Sequence, residues 1–285
     1  MKVLAVYHNK GGVGKTTTVI NLAAALSKKN KRVLVIDLDS QANTTFATGL
    51  VKFQDEIHDN LKDNYIYQVI AFRNEYSISE VARKSKGFTE PPFDVIPSHI
   101  DLMEHEHELI QQPQALNRLL KKLDAVRSQY DVVIIDTPPS LNLYAKIALI
   151  TADYLLIPSD LRPFANEGLR NVRRFVNDVN EIRETMGKEH IEILGVIASK
   201  LGTATKFREY TLPRMIEIVE RHYGFPVLNS KIFERRETSK AIERLKEVGD
   251  FLIPDPISIL DDDPKSQAAE EFEKLAQEVM QLAHI

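Results

Sequence analysis

The chain has 285 residues, of which 43% are hydrophobic, and its formal net charge is −4. It contains no cysteine, which excludes a disulfide framework, a thiolate metal site and a cysteine-ligated iron–sulfur cluster, and which fits a reducing cytosol. No apolar run approaches ~18 residues, so we expect no transmembrane helix, and the first residues lead directly into a strand rather than a signal peptide.

A glycine-rich turn stands between the first predicted strand, residues 3–7, and the first predicted helix, residues 18–27. Glycine lets backbone N–H groups point at an anion, and a helix N-terminus adds partial positive charge. Asn9 stands where a plain phosphate loop has glycine, but asparagine tolerates the left-handed geometry of such a turn. The pattern predicts that Lys15 reaches the β- and γ-phosphates of a nucleotide and that the Thr16 hydroxyl binds Mg²⁺. The predicted nucleotide-binding residues of the turn are Lys10, Gly11, Gly12, Val13, Gly14, Lys15, Thr16 and Thr17.

The sequence KGGVGKTT of this turn resembles the deviant Walker A box of the ParA/MinD family of ATPases. An extra lysine at the start of the box, here Lys10, defines that family. The resemblance implies that Lys10 reaches across a nucleotide-sandwich homodimer to the ATP of the partner subunit.

Two acids follow the second predicted strand, residues 33–37: Asp37 ends the strand and Asp39 lies in the loop. Strand, helix and strand in this order form a βαβ unit, whose ligand lies at the carboxyl ends of the strands. One carboxylate can hold the water shell of the metal while the other orients the attacking water. The loop is similar to the DxDPQ box of the same family, with Ser40 in place of proline. The resemblance gives the water-positioning role to Asp39.

A third acid, Asp136, closes the apolar strand 132–136 and is followed by Thr-Pro-Pro-Ser. Phosphate-loop enzymes use such an acid to hold Mg²⁺ through water. Residues 131–141 resemble the Walker B strand and second switch loop of the family. Its two prolines would stiffen a segment that senses the γ-phosphate.

The rest of the chain continues the pattern of a doubly wound, mostly parallel α/β sheet flanked by helices, the P-loop NTPase fold. Residues 164–169 resemble the stretch before the dimer-facing helix of the family. Base contacts in such folds often come from loops after the last two strands, so we expect the adenine near Ser199-Lys200 and Phe233-Glu234. For the Phe233 ring, a place in the core is the equally weighted alternative. The further predicted strands are 93–97, 152–158, 191–199 and 227–233; the further predicted helices are 101–109, 114–129, 163–180 and 212–223.

Residues 44–92 give the weakest signals, with short helices predicted at 65–72 and 78–82 and a loop at 86–92. Three histidines follow nearby, His99, His105 and His107. The last two are spaced i, i+2 and do not share a helix face, so a solvated, charged helix is favoured over a metal site.

The end of the chain, residues 255–285, is predicted to finish in an amphipathic helix. Residues 263–266 resemble the DPKS box of the family. The helix is acidic, and an anionic bilayer would repel it, so docking onto the sheet is favoured over the membrane-targeting helix of the MinD branch.

Residues 199–246 contain eleven Lys and Arg against six Asp and Glu, a local net charge of +5 in an acidic chain. Arg236, Lys240 and Arg244 are spaced i, i+4, i+8 and are predicted to share one helix face. Such a row neutralises phosphates without reading sequence, and the alternative is an ordinary solvated face. ParA relatives bind DNA nonspecifically through this region as ATP dimers, which favours DNA binding. The predicted DNA contacts are Lys206, Arg208, Arg235, Arg236, Lys240 and Arg244.

These patterns and the resemblance predict one domain over residues 1–285, a slow Mg²⁺-dependent ATPase with Lys10, Lys15 and Asp39 as catalytic residues. Thr16, Asp37 and, through water, Asp136 are the predicted metal residues. The resemblance implies a cytoplasmic, nucleoid-associated dimer, with a ParB-like adaptor that stimulates hydrolysis. The cargo is a plasmid, a chromosome or a protein body such as a carboxysome.

Three other classes compete with this interpretation. A MinD-type membrane-associated ATPase is disfavoured by the acidic final helix, and a nitrogenase-type iron protein by the lack of cysteine. A scaffold that binds ATP without hydrolysing it is disfavoured by the presence of Asp39.

Overall fold

The computed structural model describes residues 1–50, 61, 63–248 and 251–285. Within these ranges the strands are β1 (Lys2–Val6), β2 (Val33–Asp37), β3 (Arg83–Lys84), β4 (Asp94–Ile96), β5 (Val132–Asp136), β6 (Tyr154–Ser159), β7 (Glu192–Leu201), β8 (Val227–Phe233), β9 (Leu245–Val248) and β10 (Phe251–Pro254).

The α-helices of the described residues are α1 (Lys15–Lys28), α2 (Asn43–Ala47), α3 (Ile66–Ala71), α4 (Ile78–Val81), α5 (Glu106–Ile110), α6 (Ala115–Asp124), α7 (Leu143–Thr151), α8 (Pro163–Thr185), α9 (Leu212–Ile218), α10 (Arg236–Ile242), α11 (Ile259–Asp262) and α12 (Gln267–Leu282). A 3₁₀ turn covers Ile100–Met103, and π-helical turns at Phe207–Thr211 and Val219–Tyr223 flank α9.

Eight strands form the main sheet, in the order β3-β4-β2-β5-β1-β6-β7-β8. Neighbouring strands are parallel except for β3, which pairs antiparallel with β4. The register sets Asp136 beside both Asp37 and Val6. The strand ends that carry the two acids therefore lie next to the start of the phosphate loop, and the predicted doubly wound α/β fold is confirmed.

Two hydrophobic cores cover the two faces of this sheet. One contains buried side chains of α3, α6, α7 and α8, and the other contains those of α1 and α12. Every residue of β2, β5 and β6 is buried, because helices cover both faces. This explains why these strands are continuous apolar runs in the sequence.

All seven strands predicted from the sequence are present, whereas several helix boundaries differ. The helix predicted at 114–129 ends at Asp124, and the one predicted at 101–109 is a 3₁₀ turn followed by α5. Helix α8 continues to Thr185, beyond the predicted end. Strand β3, helix α7 and the antiparallel hairpin of β9 and β10 were not predicted. Residues 51–60 and 62 of the weakly patterned segment lie outside the described residues.

The final helix, α12, packs its apolar face against β8 and α1, as expected for docking onto the sheet. Two of its acidic side chains accept hydrogen bonds from the backbone of β8, the edge strand. Glu278 accepts hydrogen bonds from the backbone N–H groups of Asn229 and Ser230, both at 2.7 Å, and Glu271 accepts one from Phe233 at 3.0 Å. These bonds satisfy edge groups that would otherwise be free to pair with another strand. Among the described residues, no helix combines the length and apolar character needed to cross a bilayer.

Candidate nucleotide-binding site

The phosphate loop joins β1 to α1 in a left-handed turn. Gly12 and Gly14 have φ values of 75° and 88°, which side chains with a Cβ rarely adopt. The Ser199 hydroxyl donates to the Val13 carbonyl at 2.7 Å and so ties the loop to β7. Helix α1 begins at Lys15, which is only 8% exposed. The loop therefore has the geometry of an anion-binding site, with the buried ammonium group of Lys15 beside it.

Asp136 forms the centre of a small polar cluster at the end of β5. Its Oδ2 accepts hydrogen bonds from the hydroxyls of Thr16, at 2.8 Å, and Thr44, at 2.7 Å, and its Oδ1 accepts one from the Thr137 N–H at 3.0 Å. Burial raises the pKa of Asp136, whereas the two threonine hydroxyls and Lys15 lower it. The phosphate loop, α2 and β5 therefore meet at one carboxylate.

Asp37 and Asp39 have different surroundings despite their closeness in sequence. The Oδ2 of Asp37 accepts from the N–H and the hydroxyl of Thr45, at 2.9 and 2.7 Å, and its Oδ1 accepts from the Asp39 N–H at 3.1 Å. Burial and the neighbouring Asp136 raise the pKa of Asp37 well above its usual range. Asp37 thus holds the 39–45 loop in place, and its direct contact with metal stays a prediction. Asp39 lines the open cavity instead.

A cavity of about 670 Å³ opens beside these groups. Its lining includes the phosphate loop, Asp39, Lys200 and residues 242–245. Lys200 is one of the residues that the sequence predicted to lie near the adenine. Of the described residues that line the cavity, none is Phe233 or Glu234, so the geometry does not support the base contact predicted for them. The Phe233 ring is covered instead by the guanidinium groups of Arg208 and Arg235, 4.8 and 5.8 Å from its centroid.

Lys10 lies at the entrance to the loop and forms an ion pair inside its own subunit. Its Nζ is 2.9 Å from Oδ2 of Asp160, which follows β6. The Lys10 N–H donates to Nδ1 of the buried His8 at 3.0 Å. Gly168 of α8 packs so closely on this segment that a Cβ there would lie 2.6 Å from His8 Cε1. The start of the phosphate loop is therefore fixed to the start of α8.

The residues predicted to contact DNA fall into two groups. Lys206, Arg208, Arg236 and Lys240 are exposed. Arg235 instead forms an ion pair with Glu271 at 2.7 Å, in which the two side chains are 17% and 13% exposed.

The expectation that Arg236, Lys240 and Arg244 share a helix face is wrong for Arg244. Helix α10 ends at Ile242, because the chain turns there into the hairpin of β9 and β10. Arg244 lies 3.4 Å from Asp255 and lines the nucleotide cavity.

The residues at Asp136 fit a hard divalent cation. Two threonine hydroxyls and a carboxylate meet within hydrogen-bond distance at the mouth of an anion cradle, and oxygen donors of this kind are those that Mg²⁺ takes. In the described part of the chain, no group of three or more His, Cys, Asp and Glu is placed to hold a metal ion. Metal binding at Asp136 would therefore rely on substrate phosphates and water as further ligands.

Sequence reasoning missed three residues of the site. Thr44 and Thr45 follow the DLDSQAN segment, and two adjacent hydroxyls after an acidic strand end were a usable signal. Asp160 carries no such signal, because its contact with Lys10 joins residues 150 positions apart.

Comparisons with known proteins identify relatives of this chain. A family described as an AAA domain matches residues 1–193. The sporulation initiation inhibitor protein Soj of Bacillus subtilis is 33% identical over 280 residues, covering 98% of each chain. The chromosome partitioning protein ParA of Caulobacter vibrioides is 33% identical, covering 85% of this chain and 84% of the relative.

Two solved structures extend the likeness to the fold. Cobyrinic acid a,c-diamide synthase from Mycobacterium smegmatis, with bound ADP and magnesium, has a TM-score of 0.74 at 26% identity and covers 97% of this chain and 93% of that one. McdA of Cyanothece, in a complex with ATP, has a TM-score of 0.72 at 21% identity and covers 100% of this chain and 97% of that one, which supports the fold alone. The phosphate loop, the Asp136 cluster and these matches together show that the chain belongs to the ParA-like branch of the ParA/MinD family of P-loop ATPases.

Proposed function

We propose that the chain is a single-domain, Mg²⁺-dependent ATPase that dimerises around ATP and binds double-stranded DNA without sequence preference. As a nucleoid-bound dimer, it positions or segregates a cargo, and an adaptor protein carried by that cargo stimulates hydrolysis. The observation that carries the proposal is the junction at Asp136, where Thr16 and Thr44 bond one carboxylate beside the buried Lys15. Phosphate-loop enzymes that hydrolyse a phosphoanhydride hold Mg²⁺ with a threonine and a strand-end carboxylate of this kind.

Each residue of the site has a role in the proposed reaction. The amides of the phosphate loop and Lys15 bind the phosphates and neutralise their charge. Thr16 and, through water, Asp136 would hold Mg²⁺, which supplies charge neutralisation at the phosphates when bound. Asp39 lines the cavity and orients the attacking water.

Lys10 would complete the site of a partner subunit. A lysine that arrives only on dimerisation makes turnover slow in the free protein. The start of α8, next to Asp160, also carries Phe164, which is 86% exposed. We expect the proposed partner subunit to cover this ring.

DNA binding and cargo positioning rest on two supports. Four exposed basic side chains lie in the positively charged segment 199–246, namely those of Lys206, Arg208, Arg236 and Lys240. The relatives include a chromosome partitioning protein and a virulence plasmid ParA family protein of Chlamydia psittaci. A plasmid, a chromosome or a protein body such as a carboxysome is the proposed class of cargo.

Hydrolysis and dimerisation are tested together by Asp39→Ala, with Asp262→Ala, an exposed acid of α11, as the matched control. Phosphate release and light scattering are measured with ATP and with ADP. We expect Asp39→Ala to lose hydrolysis and to accumulate an ATP-bound dimer, while the control behaves as wild type. An Asp39→Ala monomer with normal turnover would contradict the assigned role.

DNA binding is tested by anisotropy of a labelled random-sequence duplex with ATP or ADP at increasing salt. We expect binding only with ATP, weakening steeply as salt rises, because released counterions drive it. Equal binding with both nucleotides, or no binding, would remove the DNA part of the proposal and leave the ATPase part untouched.

A further inference from the structure

The lining of the nucleotide cavity contains apolar residues that have no part in the proposed reaction. Among them are Ile242, at the end of α10, Leu245 of β9 and Pro254 of β10. The cavity, at about 670 Å³, lies in the size range of small-molecule sites, roughly 300–1,000 Å³. The phosphate loop accounts for the charged part of a nucleotide, and the apolar lining is available to an uncharged part.

Strands β9 and β10 place Leu245 and Pro254 side by side. In this antiparallel pair Leu245 lies opposite Pro254, and Glu247 lies opposite Leu252. Opposed residues share a face of such a pair, and so do residues two positions apart on one strand. The face that carries Leu245 and Pro254 therefore also carries Leu252, but Leu252 is not among the described residues that line the cavity. The cavity thus meets this face at Leu245 and Pro254.

Leu245 is open to solvent although it is apolar. It is 55% exposed, whereas Ile253, on the opposite face of the hairpin, is only 8% exposed. Removing apolar surface from water is favourable, so a ligand that covers Leu245 gains affinity. One face of the hairpin is packed against the protein, and the other offers apolar surface at the cavity.

The end of the hairpin that reaches the cavity is fixed by hydrogen bonds within the chain. The Asp255 N–H donates to the Arg244 carbonyl at 2.9 Å, and the Ile257 N–H donates to the Ala241 carbonyl at 3.0 Å. The side chains of Arg244 and Asp255 form an ion pair at 3.4 Å. A contact surface that is already ordered loses little conformational entropy when a ligand binds. The apolar residues at this end can therefore contribute to affinity.

We propose that Leu245 and Pro254 bind the nucleobase through the face of its ring. Every base has such a face, so this contact does not depend on the groups at the edge of the base. The inference rests on the proposed nucleotide site and names its base contact, which the sequence predicted at Phe233 and Glu234. A protein segment at the same residues would compete with the nucleotide for one cavity.

The test compares ligands with and without a base. The ligands are ADP, GDP and pyrophosphate, because the proposed dimer forms with ATP and these three report on a single subunit. Isothermal titration calorimetry with Mg²⁺ gives the dissociation constant of each ligand for the full chain. We expect Leu245→Ser to weaken ADP and GDP by the same factor, roughly tenfold, as for the loss of one leucine contact. The affinity for pyrophosphate should not change.

Two further variants control for the fold and for the chemistry of the side chain. Leu252 is 63% exposed on the same face of the hairpin, so Leu252→Ser makes the same change outside the cavity lining. We expect Leu252→Ser to bind all three ligands as wild type does. Leu245→Met keeps the apolar surface at nearly the same volume and should retain the wild-type affinity for ADP. Unfolding midpoints show whether each variant is folded.

Equal weakening of ADP and pyrophosphate by Leu245→Ser would overturn the inference, because the substitution would then act on the phosphate loop. Equal effects of Leu245→Ser and Leu252→Ser, or unequal losses for ADP and GDP, would also overturn it. Loss of the ATP dimer in Leu245→Ser with unchanged ADP binding would assign Leu245 to a contact between copies of this chain instead.

The proposed function fails in a different way. A wild-type chain that binds ADP through Leu245 but releases no phosphate from ATP would defeat the proposed ATPase and leave the base contact standing.

Discussion

Lys10 Nζ lies 2.9 Å from Oδ2 of Asp160, so the lysine proposed to act in a partner subunit is held by an acid of its own subunit. The two side chains are 31% and 14% exposed, which leaves the pair partly screened by water. The same lysine cannot hold Asp160 and reach a second subunit. In the proposed mechanism, the ion pair would therefore oppose dimerisation by the free energy needed to break it.

Asp160→Asn should favour the ATP-bound dimer. Asparagine keeps an acceptor for the Arg162 N–H, which donates to Oδ1 of Asp160 at 3.1 Å, but removes the charge that holds Lys10. A partly exposed pair contributes about 0.5–1 kcal/mol and a homodimer breaks two of them, so we expect the dimer at roughly five- to thirtyfold lower protein concentration. Light scattering over a concentration series with ATP measures this. Asp178→Asn, an exposed acid on α8, is the control, and an unchanged dimerisation constant for Asp160→Asn would show that the pair does not oppose assembly.

Gly168→Ala should disturb the phosphate loop from a helix more than 150 residues away in sequence. The added Cβ would lie 2.6 Å from His8 Cε1 and 2.7 Å from Asn9 Oδ1, closer than side chains approach. Forcing the two segments apart should cost about 1–3 kcal/mol of unfolding free energy. It should also weaken ATP binding, because Asn9 directly precedes the loop.

Denaturant unfolding and fluorescent-nucleotide titration check both effects of Gly168→Ala. Gly202→Ala is the control, since a Cβ there would meet Phe207 at an ordinary 3.7 Å. If Gly168→Ala bound ATP as tightly as the control, the contact between α8 and the loop would have no bearing on the nucleotide.

The parts of the site that the sequence predicted are those whose chemistry is local. Lys15 and Thr16 stand within one glycine-rich turn, and Asp136 ends an apolar run that only a buried strand explains. These residues could be assigned before any contact was known, because neighbouring strands of a parallel sheet bring their carboxyl ends together.

The parts that were missed depend on long-range placement. In the sequence, Asp160 is an acid after a strand like many others. Its contact with Lys10 follows only from the pairing of β6 with β1. Arg244 continues the helical spacing of Arg236 and Lys240, yet the helix stops before it because a hairpin begins. Spacing alone does not show where a helix ends when the next element is a strand without a glycine or proline signal.

His8 should make the folded protein less stable as the pH falls. Burial and the nearby Lys15 lower the pKa of His8 to about 4, from its ordinary 6.5. Between these values the unfolded chain takes up a proton that the folded chain does not, so the contribution is absent above pH 6.5 and grows towards pH 4. At pH 4.5 the effect should reach about 2–3 kcal/mol of unfolding free energy.

The comparison for His8 is His8→Gln, which keeps an acceptor for the Lys10 N–H. Asp37 and Asp136 have raised pKa values and act in the opposite direction, but they are common to both proteins. The difference in unfolding free energy between wild type and variant is therefore measured at pH 7 and pH 4.5. A difference that does not change between the two pH values would mean that His8 is protonated in the fold.

Arg236→Ala and Arg235→Ala should have different effects on DNA binding, although the residues are neighbours. Arg236 is exposed, so its removal should lower DNA affinity and reduce the slope of log affinity against log salt by about 0.9, as for one lost phosphate contact. Arg235 is paired with Glu271 at 2.7 Å and covers the Phe233 ring. Its removal should leave that slope unchanged and lower the unfolding free energy by about 1–3 kcal/mol, because Glu271 loses its partner.

The two variants are compared by anisotropy with a random-sequence duplex and ATP, together with denaturant unfolding of each variant. Equal losses of slope in the two variants would place Arg235 at the DNA despite its ion pair.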